Sequence, residues 1–186
     1  ARYHEKIRPQ HLPSLLYGFS LGGAIAAQVI KRHPFDGLIL QSTFTSLPHI
    51  TRVLFPRLPM HLLAGNLFNT LEVVRQLQVP LLVLHGTADE VIPCRMAHQL
   101  FDSCTAKKRI FCVEGGLHKD LYVKDADTLI WAISQFIADL PRRGHALSVE
   151  ETPLLEQMTD VALRALHRVT RGNDPRHGVI ASAPPA

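Results

Sequence analysis

The chain has 186 residues, 46% of them hydrophobic and 19% charged. This composition excludes a disordered chain and a highly charged coiled coil, and no apolar run approaches the ~18 residues needed to cross a bilayer. The net charge of +4 is spread along the chain, so no basic patch calls for nucleic acid as a partner. The length suits one domain with a real core, or a small core plus a tail.

In chain order, Leu15-Leu16-Tyr17 predicts a brief strand ending at Gly18. Gly22 to Arg32 is small and apolar with Ile25 and Val29 four apart, and Pro34 stops it, which predicts a short helix lying close to a sheet. Gly37 to Gln41 predicts a buried strand, Val79 to Leu84 a second and Arg109 to Val113 a third. Phe44 to Phe68 is apolar but broken by Pro48, Pro56 and Pro59, so a short helical excursion is expected there. Pro93 to Cys104 predicts a helix with Pro in its first turn. Lys124 to Leu140 predicts a longer one, with Leu129, Ile130, Ile133, Phe136, Ile137 and Leu140 on its apolar side. Strands alternating with helices, without two-residue hairpin turns, predict a parallel α/β sheet.

After Pro141-Arg142-Arg143-Gly144, Ser148 and Glu151 resemble a capping box. Leu154, Met158, Val161, Ala165 and Val169 then form an apolar stripe. Residues 144–171 are therefore expected to form an accessory amphipathic helix, and residues 172–186, rich in Pro, Gly and Ala, a disordered tail.

The chemistry centres on Gly18-Phe19-Ser20-Leu21-Gly22, followed by Gly23. It stands between a strand and a small-residue helix, the setting of a nucleophile elbow. Glycines flanking Ser20 would let a tight turn hold the serine in a strained conformation with its hydroxyl exposed. The helix that starts there aims its first N–H groups at the same spot, so the Leu21 N–H could stabilise an oxyanion. A tight βα turn holding an ordinary serine is the plain alternative, and the pattern alone leaves both open.

A serine hydroxyl needs a base, and the base needs a group to orient it. The order expected after such an elbow is an acid and then a histidine, each beyond the carboxyl end of a strand. Asp89 follows the strand at Leu81–Leu84, and His118 follows the strand at Ile110–Val113 across Gly115-Gly116. The chain holds 11 histidines, so position alone singles out His118. His33 and His98 read as helix-surface residues, and His145, His167 and His177 fall in or beyond the tail.

At these residues the chain resembles the serine α/β-hydrolase superfamily. The segments GFSLGG, LILQSTFTSL, VPLLVLHGTADEVIP and EGGLHKDLY carry the likeness, over about residues 12–140. More narrowly it is similar to the abhydrolase branch of protein depalmitoylases and their bacterial serine-aminopeptidase-like and dienelactone-hydrolase-like relatives. The resemblance implies an α/β-hydrolase fold, a mostly parallel sheet flanked by helices. Only the C-terminal portion, from the nucleophile strand onward, would lie in residues 1–143. It implies Ser20 as nucleophile, Asp89 as the orienting acid, His118 as general base and Leu21 as one oxyanion donor. Residues 44–70 would form a short insertion bordering the substrate pocket, with Phe19, Phe44, Leu54, Phe55, Leu58 and Leu62 as candidate lining. No cofactor is implied.

The sequence departs from that family in two places. Lys119 stands where relatives carry Asn, and it is expected at the loop surface. The strands and the HGNG-like loop that donates the second oxyanion N–H do not precede Pro13. The chain, starting at Ala1 in a polar stretch, therefore reads as cut from a longer one, and an upstream signal or membrane anchor stays open. In that case the Ser20 strand becomes an unpaired edge, which favours self-association, and activity of the chain alone falls.

Other readings compete less well. A phosphate-binding loop at Gly18–Gly23 lacks both GK[ST] and GxGxxG. Metal binding is not expected, since Cys94, Cys104 and Cys112 read as isolated thiols and no HExxH occurs; Cys112 reads as core packing. An odd cysteine count without a CxxC pair fits reduced thiols in the cytoplasm. The expected function is hydrolysis of a carboxylic ester or thioester of a small or acylated substrate, through an acyl-enzyme. The alternative is a truncated, non-catalytic α/β-hydrolase-like binding module.

Overall fold

The structure is a computed structural model and describes residues 12–57 and 68–140. The expected tail helix and disordered end, and Leu58 and Leu62, lie outside the described residues. Among the described residues, four strands form one sheet: β1 (Leu15–Phe19), β2 (Gly37–Gln41), β3 (Leu81–Gly86) and β4 (Lys108–Val113), in spatial order β1-β2-β3-β4. Every pairing is parallel, with Phe19 opposite Gln41, Gln41 opposite Leu84 and Leu84 opposite Phe111. The carboxyl ends of all four strands therefore emerge along one side of the sheet.

The helices are α1 (Leu21–Ile30), α2 (Leu47–Leu54), α3 (Thr70–Arg75), α4 (Arg95–Ser103) and α5 (Leu121–Ala138). One face of the sheet packs Leu38, Leu40, Leu81 and Val83 against Ala26 of α1, Val74 of α3 and Ala97 and Leu100 of α4. The other face packs Ile39, Leu82 and Leu84 against Leu121, Leu129 and Phe136 of α5. Covered on both faces, β2 and β3 are buried at every position, which explains their unbroken apolar runs. Burial of a Leu or Val side chain contributes about 1.5–3 kcal/mol, so these two strands anchor the domain.

Several expectations shift at the ends of elements. β3 runs on through His85 and Gly86, residues too polar or too small to extend an apolar run by eye. Pro93 precedes α4 and is not in its first turn; its carbonyl accepts from the Met96 N–H. α5 begins three residues early and kinks at Asp125 (φ −156°, ψ 71°). Ile130 and Ile137, expected on its apolar side, are exposed, while Ala132 is buried. The helix α3 follows an Asn69 cap whose side chain accepts from the Glu72 N–H at 3.1 Å.

The cysteines also differ from expectation. Cys112 sits on the edge strand β4, half-buried and not in the core, and its Sγ lies 3.9 Å from that of Cys94. Burial, then the neighbouring Cys94 and Glu114, pushes the Cys112 thiol up to about 12. Cys104 is the cysteine that packs in the core.

Candidate active site

Ser20 follows β1 and stands at the N-cap of α1 with φ 53° and ψ −122°, a positive-φ backbone that an L-residue adopts only at a cost of about 1–3 kcal/mol. Its N–H donates to the Gln41 carbonyl at 2.9 Å, its carbonyl accepts from the Gly23 N–H at 3.0 Å, and the Thr43 hydroxyl donates to the same carbonyl. The strained turn is thus fixed from both sides. The steric need for glycine holds at Gly18 and falls on Gly23 instead of Gly22. A Cβ on Gly18 would come within 2.5 Å of the Gly22 carbonyl oxygen and the Gly23 Cα, and one on Gly23 would strike Thr43, but Gly22 has open space. Leu21 is the first residue of α1, so its N–H has no partner within the helix.

The loops after β3 and β4 are fastened to each other. The Thr87 N–H donates to the Val113 carbonyl at 3.0 Å, the Ala88 N–H to the Gly116 carbonyl at 3.1 Å, and the Gly115 N–H to the Thr87 hydroxyl at 2.8 Å. This pairing places Asp89 beside His118. His118 Nδ1 lies 2.9 Å from Asp89 Oδ2, and its Nε2 lies 3.1 Å from Ser20 Oγ. A carboxylate only accepts, so Nδ1 carries the proton and Nε2 is left as acceptor for the serine hydroxyl. His118 is buried, its ring is tilted against that of Phe19 at 5.2 Å, and its N–H donates to Glu90 Oε2 at 3.1 Å. Lys119 is exposed, as the loop reading expected.

The Asp89 side chain is fully buried, which alone would raise its pKa. Hydrogen bonds from His85, the Ile92 N–H, His118 and the Val91 N–H outweigh that and hold it at about 2. Oδ1 takes the two backbone bonds, at 2.9 Å from Val91 and 2.7 Å from Ile92. His85 is the partner that sequence reasoning missed. Its Nε2 lies 3.2 Å from Asp89 Oδ2 and 2.8 Å from the Ile92 carbonyl; both are acceptors, so Nε2 carries the hydrogen. The signal was available, since a histidine in a wholly buried strand demands a polar partner.

The candidate lining residues are scattered. Phe19 touches His118 and is partly exposed, whereas Phe44 is buried in a cluster with Ala24, Ile50, Ile92 and Met96. Leu54 and Phe55 are exposed at the end of α2. Chemically, a carboxylate, an imidazole and a hydroxyl joined in one line can draw the proton from serine as its oxygen attacks an electrophile.

Comparisons with known proteins agree with this architecture. The profile of the family described as Serine aminopeptidase, S33 matches residues 69–127. The chain is 30% identical over 123 residues to an uncharacterized protein of Mycobacterium tuberculosis, covering 66% of this chain and 44% of the relative. It is also 30% identical over 136 residues to the human Alpha/beta hydrolase domain-containing protein 17B, covering 72% of this chain and 45% of that protein. It therefore spans less than half the length of these curated relatives. Among solved structures, the esterase domain from a Rhodothermus marinus protein superposes with a TM-score of 0.60 at 20% identity, over 75% of this chain and 65% of that one. With a parallel sheet, a strained serine turn after its first strand and the fold of these neighbours, the chain carries part of the α/β-hydrolase fold.

Proposed function

We propose that Ser20, His118 and Asp89 are the nucleophile, general base and orienting acid of a hydrolase that cleaves carboxylic esters or thioesters. The observation that carries this reading is the unbroken line of contacts, 3.1 Å from Ser20 Oγ to His118 Nε2 and 2.9 Å from His118 Nδ1 to Asp89 Oδ2. Ser20 Oγ attacks the acyl carbon while its proton passes to His118 Nε2. The carbonyl oxygen gains negative charge, and the Leu21 N–H donates to it. The imidazolium then gives its proton to the departing alkoxide or thiolate as the carbonyl re-forms, leaving an acyl-serine. Water enters, loses a proton to Nε2 and attacks the acyl carbon. Collapse returns that proton to Ser20 Oγ and releases the acid.

Asp89 serves as orienter. Held at about 2, it stays ionised throughout and keeps the hydrogen on Nδ1. The preference for ester and thioester over amide rests on apolar surface beside the serine, from Phe19 and Leu21, which suits an acyl group better than a charged amine. The test is turnover of matched acyl ester, thioester and amide substrates. We expect kcat/KM to favour the first two, and Ser20→Ala to remove turnover of all three. Turnover that survives in Ser20→Ala would overturn the assignment, and a preference for the amide would overturn the substrate class.

A further inference from the structure

A second group of side chains with metal-binding atoms lies at the start of α4 and on β4. Cys94 immediately precedes α4, and His98 follows it by four residues, one helical turn along the same face. Cys112 lies on β4, opposite His85 in the sheet register, and shares a face with Ile110, which packs against the α4 cluster. The two Sγ atoms are 3.9 Å apart, Cys112 Sγ is 3.9 Å from His98 Nε2, and all three donor atoms lie within 4.8 Å of one another. Nothing in the proposed hydrolytic chemistry uses these residues.

We propose that Cys94, His98 and Cys112 form a zinc site. With Zn–S near 2.3 Å and Zn–N near 2.0–2.1 Å, a tetrahedral ion separates two sulfur ligands by about 3.8 Å and a sulfur–nitrogen pair by about 3.5 Å. The two sulfurs already stand at the chelating separation. His98 is exposed, so its side chain is free to close the remaining gap by a small rotation. Two thiolates and an imidazole suit a soft or borderline ion, and oxygen-seeking Mg²⁺ or Ca²⁺ would not compete. On binding, each thiol releases one proton to solvent as its sulfur–zinc bond forms, and Nε2 contributes its lone pair. No electron changes hands.

The location gives the ion a structural task. Cys94 lies two residues after Ile92, whose N–H and carbonyl contact Asp89 and His85. Cys112 precedes the Gly115-Gly116 turn that leads to His118. A bound ion would join the loop holding the acid to the strand that delivers the histidine. The site stands whether or not the hydrolytic reading does.

The experiment is titration of the reduced, metal-free chain with Co²⁺ as a spectroscopic probe, followed by displacement with Zn²⁺. One equivalent of Co²⁺ should develop a thiolate-to-cobalt charge-transfer band, and Zn²⁺ should abolish it. Cys94→Ser and Cys112→Ser should each weaken the band or remove it. His98→Ala, on an exposed position that leaves the fold intact, should keep thiolate character but bind zinc about 100-fold or more weakly, beyond the loss typical of an outer partner. Absence of the band in the folded chain would overturn the site. So would zinc affinity unchanged in His98→Ala and Cys112→Ser, since that would place the ion on other histidines.

Discussion

At the scale of single residues, Asp89 determines what His118 can do. Replacing it with Asn keeps an oxygen for the Val91 and Ile92 N–H groups but turns an NH₂ toward His118 Nδ1. Two donors cannot face each other, so the ring takes the other tautomer and presents Nε2–H to Ser20. Turnover should fall by about 10⁴ in kcat while the structure survives, checked by steady-state kinetics beside a circular dichroism spectrum. Asp89 also ties stability to pH. Its folded pKa of about 2 lies below the ordinary 3.8, so its contribution is fully present above about pH 4 and is lost as pH falls toward 2. Urea unfolding across that window should show about 2 kcal/mol of stability disappearing in the parent and a flatter profile in Asp89→Asn.

His85 illustrates what composition hides at this scale. Its Nδ1 is buried without a hydrogen-bond partner among the described residues, while Nε2 supports Asp89. Such an arrangement persists where the other nitrogen has a task. The residue was visible in the sequence, but its partner is four residues away across a strand end, a contact that periodicity does not encode.

At the scale of elements, the turn from β1 into α1 separates two glycines that look alike in sequence. Gly18→Ala forces a Cβ into backbone and should cost about 2–4 kcal/mol. Gly22→Ala, in open space on a helix, should be neutral or stabilising by up to about 1 kcal/mol. Thermal unfolding of the two variants checks this, and equal destabilisation would contradict the turn geometry described here.

The elements themselves were largely legible. β2 matched its apolar run end to end, because a strand buried on both faces leaves an uninterrupted signal. Their ends were not, since β3 continues into His85 and Gly86 and α5 starts before its apolar stripe does. The α5 stripe also misassigned Ile130 and Ile137, because each lies one position beyond Leu129 and Phe136 and so turns off the face that meets the sheet. The thiol pair Cys94 and Cys112 joins residues from two elements, so no linear spacing announced it.

At the scale of the whole molecule, the order serine, acid, histidine was readable because a parallel sheet brings every strand's carboxyl end to one side. Three residues far apart in sequence, Ser20, Asp89 and His118, could therefore be grouped from their positions after strands alone. The pocket could not be grouped this way. Phe44 went into the core, while Leu54 and Phe55, at the end of the short helix α2, went to the surface. The fold and the grouping of Ser20, Asp89 and His118 thus follow from topology, while the direction of the loop side chains does not.

The central claim is that Ser20 is an activated nucleophile, and covalent capture by a fluorophosphonate followed by peptide mass spectrometry tests it most directly. The account predicts one adduct, on Ser20, lost in His118→Ala although the serine remains. A folded chain that takes no label, or takes it equally well in His118→Ala, would contradict it.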